Sequence, residues 1–162
     1  MDTNNQLNFL QEKIEEIGSA IFFNLSDSVL KLPTSIVTTL KVDEYGFVWF
    51  FVQKPRQSLR EFETEFPARL DFFRKGKNCF LQVMGKAWVV SDPEEVNGFV
   101  TLPEEVKEMA LGDMVLVKVK MLRAEYHETQ TRTQQTWWQS AVTTLFTWFG
   151  TGYKGTTYFP AS

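Results

Sequence analysis

The chain opens with apolar positions at helical spacing. Leu7, Leu10, Ile14 and Ile17 recur every three or four residues, with Gln11, Glu12, Lys13, Glu15 and Glu16 on the opposite face. That pattern predicts an amphipathic helix, ended by Gly18 and laid over something larger. The spacing then changes to short runs rich in β-branched and aromatic residues, bounded by turn formers. Residues 20–25 read as a first strand, 26–28 as a turn, and the run 36–39 after Pro33 as a second strand. Asp43, Glu44, Tyr45 and Gly46 form a tight turn before a third strand at 47–52, so strands two and three pair as an antiparallel hairpin.

Pro55 breaks the sheet, and residues 58–63 read as a short helix in which Glu61 follows Ser58 at capping-box spacing. Pro67 ends that helix, a fourth strand runs over 68–73, residues 74–78 turn, and 79–90 is a long fifth strand. Gly85 inside it signals a bulge or a close backbone approach. Asp92 as N-cap and Pro93 at the first helical position open a further helix, and residues 102–111 form another, ended by Gly112. The sixth strand covers 114–126, with Val115, Val117 and Val119 on one face and Leu116, Lys118 and Lys120 on the other.

The last stretch has a different texture. Residues 128–135 are polar and read as a linker, and Thr136-Trp137-Trp138-Gln139 looks like a capping box for a helix over 137–149. Trp138, Val142, Leu145 and Phe149 make one stripe of that helix, Gly150 closes it, and 156–159 offers a short edge strand. The expected fold is mainly β with peripheral α: a six-stranded antiparallel split β-barrel with an N-terminal helix, short inserted helices and an extra C-terminal helix. The expected organisation is one barrel domain, 1–127, and an aromatic extension, 128–162, packing on that domain or on a dimer interface.

Composition narrows the function. At 162 residues the chain fits one domain with a real core, and its 43% hydrophobic and 23% charged content is that of an ordinary globular protein. Net charge is -3, so no global positive field exists to hold nucleic acid, and an anion must be held by a local basic cluster. Cys79 is the only cysteine, which excludes an intramolecular disulfide or a zinc cluster, and it reads as a small hydrophobe on a strand. His127, the only histidine, sits beside Glu125 and Glu128 and reads as a surface residue, so hydrolase triads and transition-metal sites have no support. The N-terminus is polar and no apolar run approaches the ~20 residues that span a bilayer, so the expected location is the cytoplasm.

One local basic cluster stands out. Lys54, Pro55, Arg56, Gln57, Ser58, Leu59 and Arg60 place three cations and a hydroxyl at a predicted helix start. Helix-start amides and a bidentate arginine suit a phosphate, each charge-assisted bond contributing roughly 1.5–3 kcal/mol. The competing reading is a solvated loop whose cations are neutralised by Glu61, Glu63 and Glu65. Val37, Thr38 and Thr39 on one flanking strand bring hydroxyls and amides, and Trp49, Phe50 and Phe51 on the other bring an aromatic wall. A flat heteroaromatic ring with polar edges suits that surface, although alternate aromatics must be barrel core. Gly150-Thr151-Gly152-Tyr153-Lys154-Gly155 matches a dinucleotide fingerprint only in letters, since it follows no strand within a βαβ unit. The 137–149 helix has no lysine or arginine on its polar face, which argues against an anionic membrane surface.

The order of these parts resembles a known family. A strand, the Asp43–Gly46 turn, Trp49-Phe50-Phe51, the basic turn, and then Met84-Gly85-Lys86-Ala87 with Asp92-Pro93-Glu94-Glu95 are similar to the FMN-binding split barrels. These are pyridoxamine 5'-phosphate oxidase-like proteins, and the general stress protein 26 type is the subgroup resembled, over about residues 14–127. The resemblance implies a homodimer with an FMN in each of two interfacial clefts, Arg56 at the phosphate with Lys54, Gln57 and Ser58 beside it. It implies that Val37, Thr38 and Thr39 line the flavin ring, with Phe50 and Phe51 opposite. Where the family's oxidases carry an arginine early in the second strand this chain has Ser35 or Ile36, and their Ser-Arg-Lys triplet is Arg56-Gln57-Ser58. True pyridoxamine 5'-phosphate oxidation is therefore not implied. The expected function is an FMN-binding flavoprotein, with FAD or another flavin as the variant cofactor, acting as an oxidoreductase of unspecified substrate. The alternatives are a non-catalytic protein holding a flavin or haem-like ligand, and a dimeric interaction module with an empty cleft.

Overall fold

In a computed structural model, the described residues are 3–91, 94–95, 104, 108, 112–129, 141–149 and 152–160, the last two segments as backbone. Helix α1 (Thr3–Ile17) is followed by strands β1 (Ser19–Asn24), β2 (Ser35–Val42), β3 (Phe47–Gln53), β4 (Glu65–Phe73), β5 (Cys79–Val90) and β6 (Met114–Thr129). Two more strands, β7 (Ala141–Phe149) and β8 (Gly152–Pro160), complete the order β3-β2-β1-β4-β5-β6-β7-β8. All the pairings are antiparallel, and β3 pairs with β6 as well. That last pairing closes β1–β6 into the six-stranded antiparallel barrel expected from the sequence. No helix among the described residues is long and apolar enough to cross a membrane.

Alternation along each strand fills the barrel. Val48, Phe50 and Val52 of β3 face Val119, Val117 and Val115 of β6 in register, and all six are buried. Phe22, Leu70, Phe72, Leu81 and Val83 join them, with the Phe22 and Phe50 rings 5.3 Å apart. Helix α1 plugs one end of this core through Leu10, Ile14 and Ile17, as its apolar stripe predicts. Gly18 ends it at φ +81°, a conformation that disfavours a Cβ. The Gly18 N–H donates to the Ile14 carbonyl (2.8 Å), and the Gly18 carbonyl accepts from the Thr39 N–H (3.0 Å), which ties the helix end to β2.

The Asp43 turn sets the hairpin. Its Oδ1 accepts from the N–H groups of Tyr45 (2.9 Å) and Phe47 (3.0 Å), and its Oδ2 accepts from the Trp49 indole (2.9 Å). Gly46, at φ +84°, supplies the left-handed residue the turn requires.

Gly85 marks a close approach, as expected. The β5–β6 register shifts between Met84 and Gly85, and a Cβ on Gly85 would stand 1.8 Å from the Lys120 carbonyl oxygen.

Several local readings are corrected. The helix expected over 137–149 is strand β7 across 141–149, pairing with residues 123–129 of β6. Its residues Val142, Thr143, Thr144, Phe146, Thr147 and Trp148 are strong strand formers, and the far half of β6, beyond β3, offers an open edge. The residues 137–140 lie outside the described set. Strand β8 contains the expected 156–159 edge strand and extends it. Strands β7 and β8 pair antiparallel, with Phe149 opposite Gly152. The literal dinucleotide motif is thus part of a hairpin sequence.

The helix expected over 58–63 is a single 3-10 turn, Leu59–Glu61, with Ser58 as its N-cap. Pro67 does not end it but lies inside β4, where its carbonyl accepts from the Leu25 N–H (2.9 Å). The missing N–H of Pro67 therefore faces the side on which the β1 ladder stops at Asn24, and the β5 ladder is intact. Glu128 and Thr129, read as linker, extend β6. Glu94 and Glu95 are helical as expected, and so are Glu104, Glu108, Gly112 and Asp113, so Gly112 does not stop the second inserted helix.

Gly85→Ala should lower unfolding stability by about 1–3 kcal/mol or more, because backbone rather than a movable side chain blocks the new methyl. A urea midpoint equal to that of the wild type would contradict the close approach.

Candidate functional site

Strand β3 leaves the barrel at Gln53, and the Lys54 N–H donates to the Asp113 carbonyl (2.9 Å), pinning the start of the basic turn beside β6. Pro55 forbids continuation of the ladder. Ser58 then caps the short turn, its Oγ accepting from the Arg60 N–H at 3.4 Å. The Phe62 ring is buried in the barrel core and anchors the far end. The chain between these two anchors lines an open cleft of about 520 Å³. Residues 54–60 form one wall, and Glu63, Thr64, Val89 and Ser91 form the other.

A single 3-10 turn aligns too few peptide dipoles to act as an anion site. The cleft's charge comes from side chains. Lys54, Arg56 and Arg60 are exposed and form no ion pair among the described residues. Two carboxylates that could have neutralised them are engaged elsewhere. The Glu63 Oε2 accepts from the Ser26 hydroxyl at 2.7 Å. Glu65 pairs with Lys86 across the β4–β5 ladder and accepts from the Trp88 indole at 3.0 Å. The Lys86 ammonium, and secondarily the Trp88 N–H, hold the Glu65 carboxyl below its ordinary value of 4.5 against the opposing effect of desolvation. Among the described residues nothing takes up the guanidinium donors of Arg56 and Arg60, which suits them to a ligand.

The other expected site residues divide by strand alternation. Thr38 is exposed and Phe51 half-buried on the outer surface of the barrel, on the strands that lead to the basic turn. Gln57 and Ser58 lie in the cleft wall with Lys54 and Arg56. Val37 and Phe50 are core residues, buried in the barrel and absent from its outer surface. Thr39 pairs with Phe50 and shares its inward face, with a buried Oγ1 that has no hydrogen-bond partner. The register shift after Thr39 turns Leu40 outward against Trp49 and Phe51.

Sequence reasoning missed the second wall. Glu63, Thr64, Val89 and Ser91 come from β4's approach and β5's end, and the Val89 N–H donates to the Thr64 carbonyl (3.0 Å). A long β4–β5 ladder could have signalled that residues 63–65 lie opposite 88–91. An outer aromatic face was likewise unread. Lys118 stands 5.2 Å over Phe47 and 5.3 Å over Trp49, and Trp88 lies 5.7 Å from Phe47. Lys118 also pairs with Glu95.

The remaining chemistry-bearing residues are structural. Cys79 is half-buried at the start of β5 beside Tyr126, whose hydroxyl burial pushes well above its ordinary value. The His127 Nε2 contacts the Glu125 carboxylate at 2.9 Å on the surface. No cluster of metal-ligating side chains is present among the described residues.

The fold recurs in solved structures. A protein related to general stress protein 26, of the pyridoxinephosphate oxidase family, from Clostridium acetobutylicum matches with a TM-score of 0.57 at 16% identity. That match covers 79% of this chain and 91% of that one. The general stress FMN/FAD binding protein of Xanthomonas citri gives 0.58 at 16% identity, covering 80% and 92%. A pyridoxamine 5'-phosphate oxidase-related, FMN binding protein from Nostoc punctiforme gives 0.56 at 6% identity, over 98% and 94%. The fold is that of the general stress protein 26 structures. The resemblance drawn from residues 14–127 is thus borne out at the level of the split barrel. No protein-family model and no curated protein sequence matches the chain.

Acid should break the Glu65 contact with Lys86 and Trp88 beside the second wall. Because Glu65's folded value is depressed, its pairing is complete above about pH 4.5 and is lost as pH falls below that. Tryptophan fluorescence should therefore change below pH 4.5 in the wild type, and the change should shrink in Trp88→Phe. An equal change in both proteins would contradict the pairing.

Proposed function

We propose that this chain is an FMN-binding flavoprotein, acting as a flavin-dependent oxidoreductase of general stress protein type in a homodimer. The observation that carries the reading is the cleft after β3, where Lys54, Arg56 and Arg60 form no ion pair among the described residues, in a chain of net charge -3. Three neighbouring cations without an ion pair among the described residues make a local positive patch suited to an anion. The FMN/FAD binding protein of Xanthomonas citri and the FMN binding protein of Nostoc punctiforme, which share the fold, support a flavin as the owner of that anion.

In this reading Arg56 grips the terminal phosphate in bidentate fashion, with Lys54 and Arg60 adding charge and Gln57 and Ser58 polar contacts. Thr38 and Phe51 present a hydroxyl and an aromatic edge on the outer surface for the ring. Val37, Thr39 and Phe50 face inward and pack the strands that carry this surface. The flavin supplies hydride or electron transfer, chemistry for which this chain offers no nucleophile of its own. The protein's part is to bind, orient and leave one ring face open. A non-catalytic flavin carrier on the same scaffold differs in one measurable respect: its bound flavin is not turned over by NADH or NADPH.

Arg56→Ala should weaken FMN binding by about one to two powers of ten, read by quenching of flavin fluorescence. Riboflavin, which has no phosphate, should bind both proteins equally. Unchanged FMN affinity would remove Arg56 from the site.

A further inference from the structure

A second pocket, of about 250 Å³, shares no lining residue with the cleft after β3. Its floor follows from strand alternation. Ala20, Val37 and Phe72 are buried in the core, so their neighbours Ile21, Ile36 and Phe73 stand on the outer surface. Strands β2, β1 and β4 are adjacent, and Ile36 lies opposite Ile21 in register, so the floor spans about 10 Å. Ile36 is 80% exposed and Phe73 47% exposed, which leaves apolar area open to water along one pocket.

One end of this floor is cationic. The β4–β5 turn begins at Arg74, whose carbonyl accepts from the Lys77 N–H (3.0 Å), and Gly76 at φ +88° completes it. Lys77 itself is taken by Glu16 at 3.2 Å. Arg74 and Lys75 line the pocket, and neither forms an ion pair among the described residues. Asp71, the register partner of Ile21 on β4, pairs with Arg69 (3.2 Å) and accepts from the Gln82 amide (3.3 Å). No carboxylate lines the pocket among the described residues.

An apolar floor with two cations at one end complements a hydrocarbon body carrying one terminal anion. The volume falls below the roughly 300–1,000 Å³ of drug-sized ligand sites, which limits that body to a short chain. We propose that this pocket binds a medium-chain fatty acid. The alkyl chain lies over Ile21, Ile36 and Phe73, and the carboxylate meets the Arg74 guanidinium and the Lys75 ammonium. This site does not depend on the flavin reading.

The test titrates the full chain by calorimetry with hexanoate, octanoate and decanoate, below their micelle-forming concentrations. Affinity should rise about two- to fourfold per added methylene. Replacing both cations, Arg74→Gln with Lys75→Gln, should weaken octanoate about tenfold and leave 1-octanol binding unchanged. Ile36→Thr should weaken both ligands. All three positions are exposed, so the variants keep the core. Affinity that does not rise with chain length, or that survives loss of both cations, would overturn the proposal. Displacement of octanoate by saturating FMN would also overturn it, because the acid would then occupy the flavin's cleft. A wild-type dimer that Ile36→Thr converts to monomer, with no fatty acid bound, would overturn it and give this face to a second copy.

Discussion

Closure of β3 onto β6 is the constraint on which everything else depends. A two-residue alternation admits no compromise: once Val48, Phe50 and Val52 point inward against β6, their neighbours Phe47, Trp49 and Phe51 must point out. The same closure delivers the end of β3 beside Asp113, so the basic turn begins at a fixed place on the barrel rim. Burying each large side chain contributes about 1.5–3 kcal/mol, and the fully buried Phe22, Phe50 and Phe72 make slippage of this register expensive. The cleft is held between a strand-end hydrogen bond at Lys54 and the buried Phe62 ring.

The cleft's charge is a consequence of where the acids went. The segment from Glu61 to Glu65 could have cancelled the turn, and on spacing alone that was the competing reading. Strand pairing removes Glu65 to Lys86 and Trp88, and the 25–34 loop holds Glu63 by a hydroxyl rather than by a cation. Exposed ion pairs of this kind contribute little to stability, commonly 0–1 kcal/mol. Their consequence here is electrostatic arrangement, since each acid held elsewhere leaves a cation facing solvent.

Much of the fold was legible because its signals are local. The Asp43–Gly46 turn, the Gly85 bulge, the stop at Gly18 and the bounds of β5 each rest on residues within one element. The failures share a different cause. Residues 141–149 satisfy a helical stripe and a β-propensity run equally, and what decides between them is the open far edge of β6, a partner distant in sequence. Pro67 looked like a terminator because nothing nearby says that β1 ends opposite it. At the site, the 54–60 wall was readable as a cluster, and Thr38 and Phe51 as outward positions. Val37 and Phe50 could not be assigned to the core until the register was known. Glu63's role needed the Ser26 contact, 37 residues away in sequence.

The central claim is that a phosphate-bearing flavin occupies the rim cleft. The most direct measurement is the absorption spectrum of the protein, from about 300 to 600 nm, after incubation with FMN and gel filtration. The account predicts a flavin band that travels with the protein peak. A colourless protein peak, with all added FMN in the small-molecule fractions, would contradict it and leave the barrel without its proposed ligand.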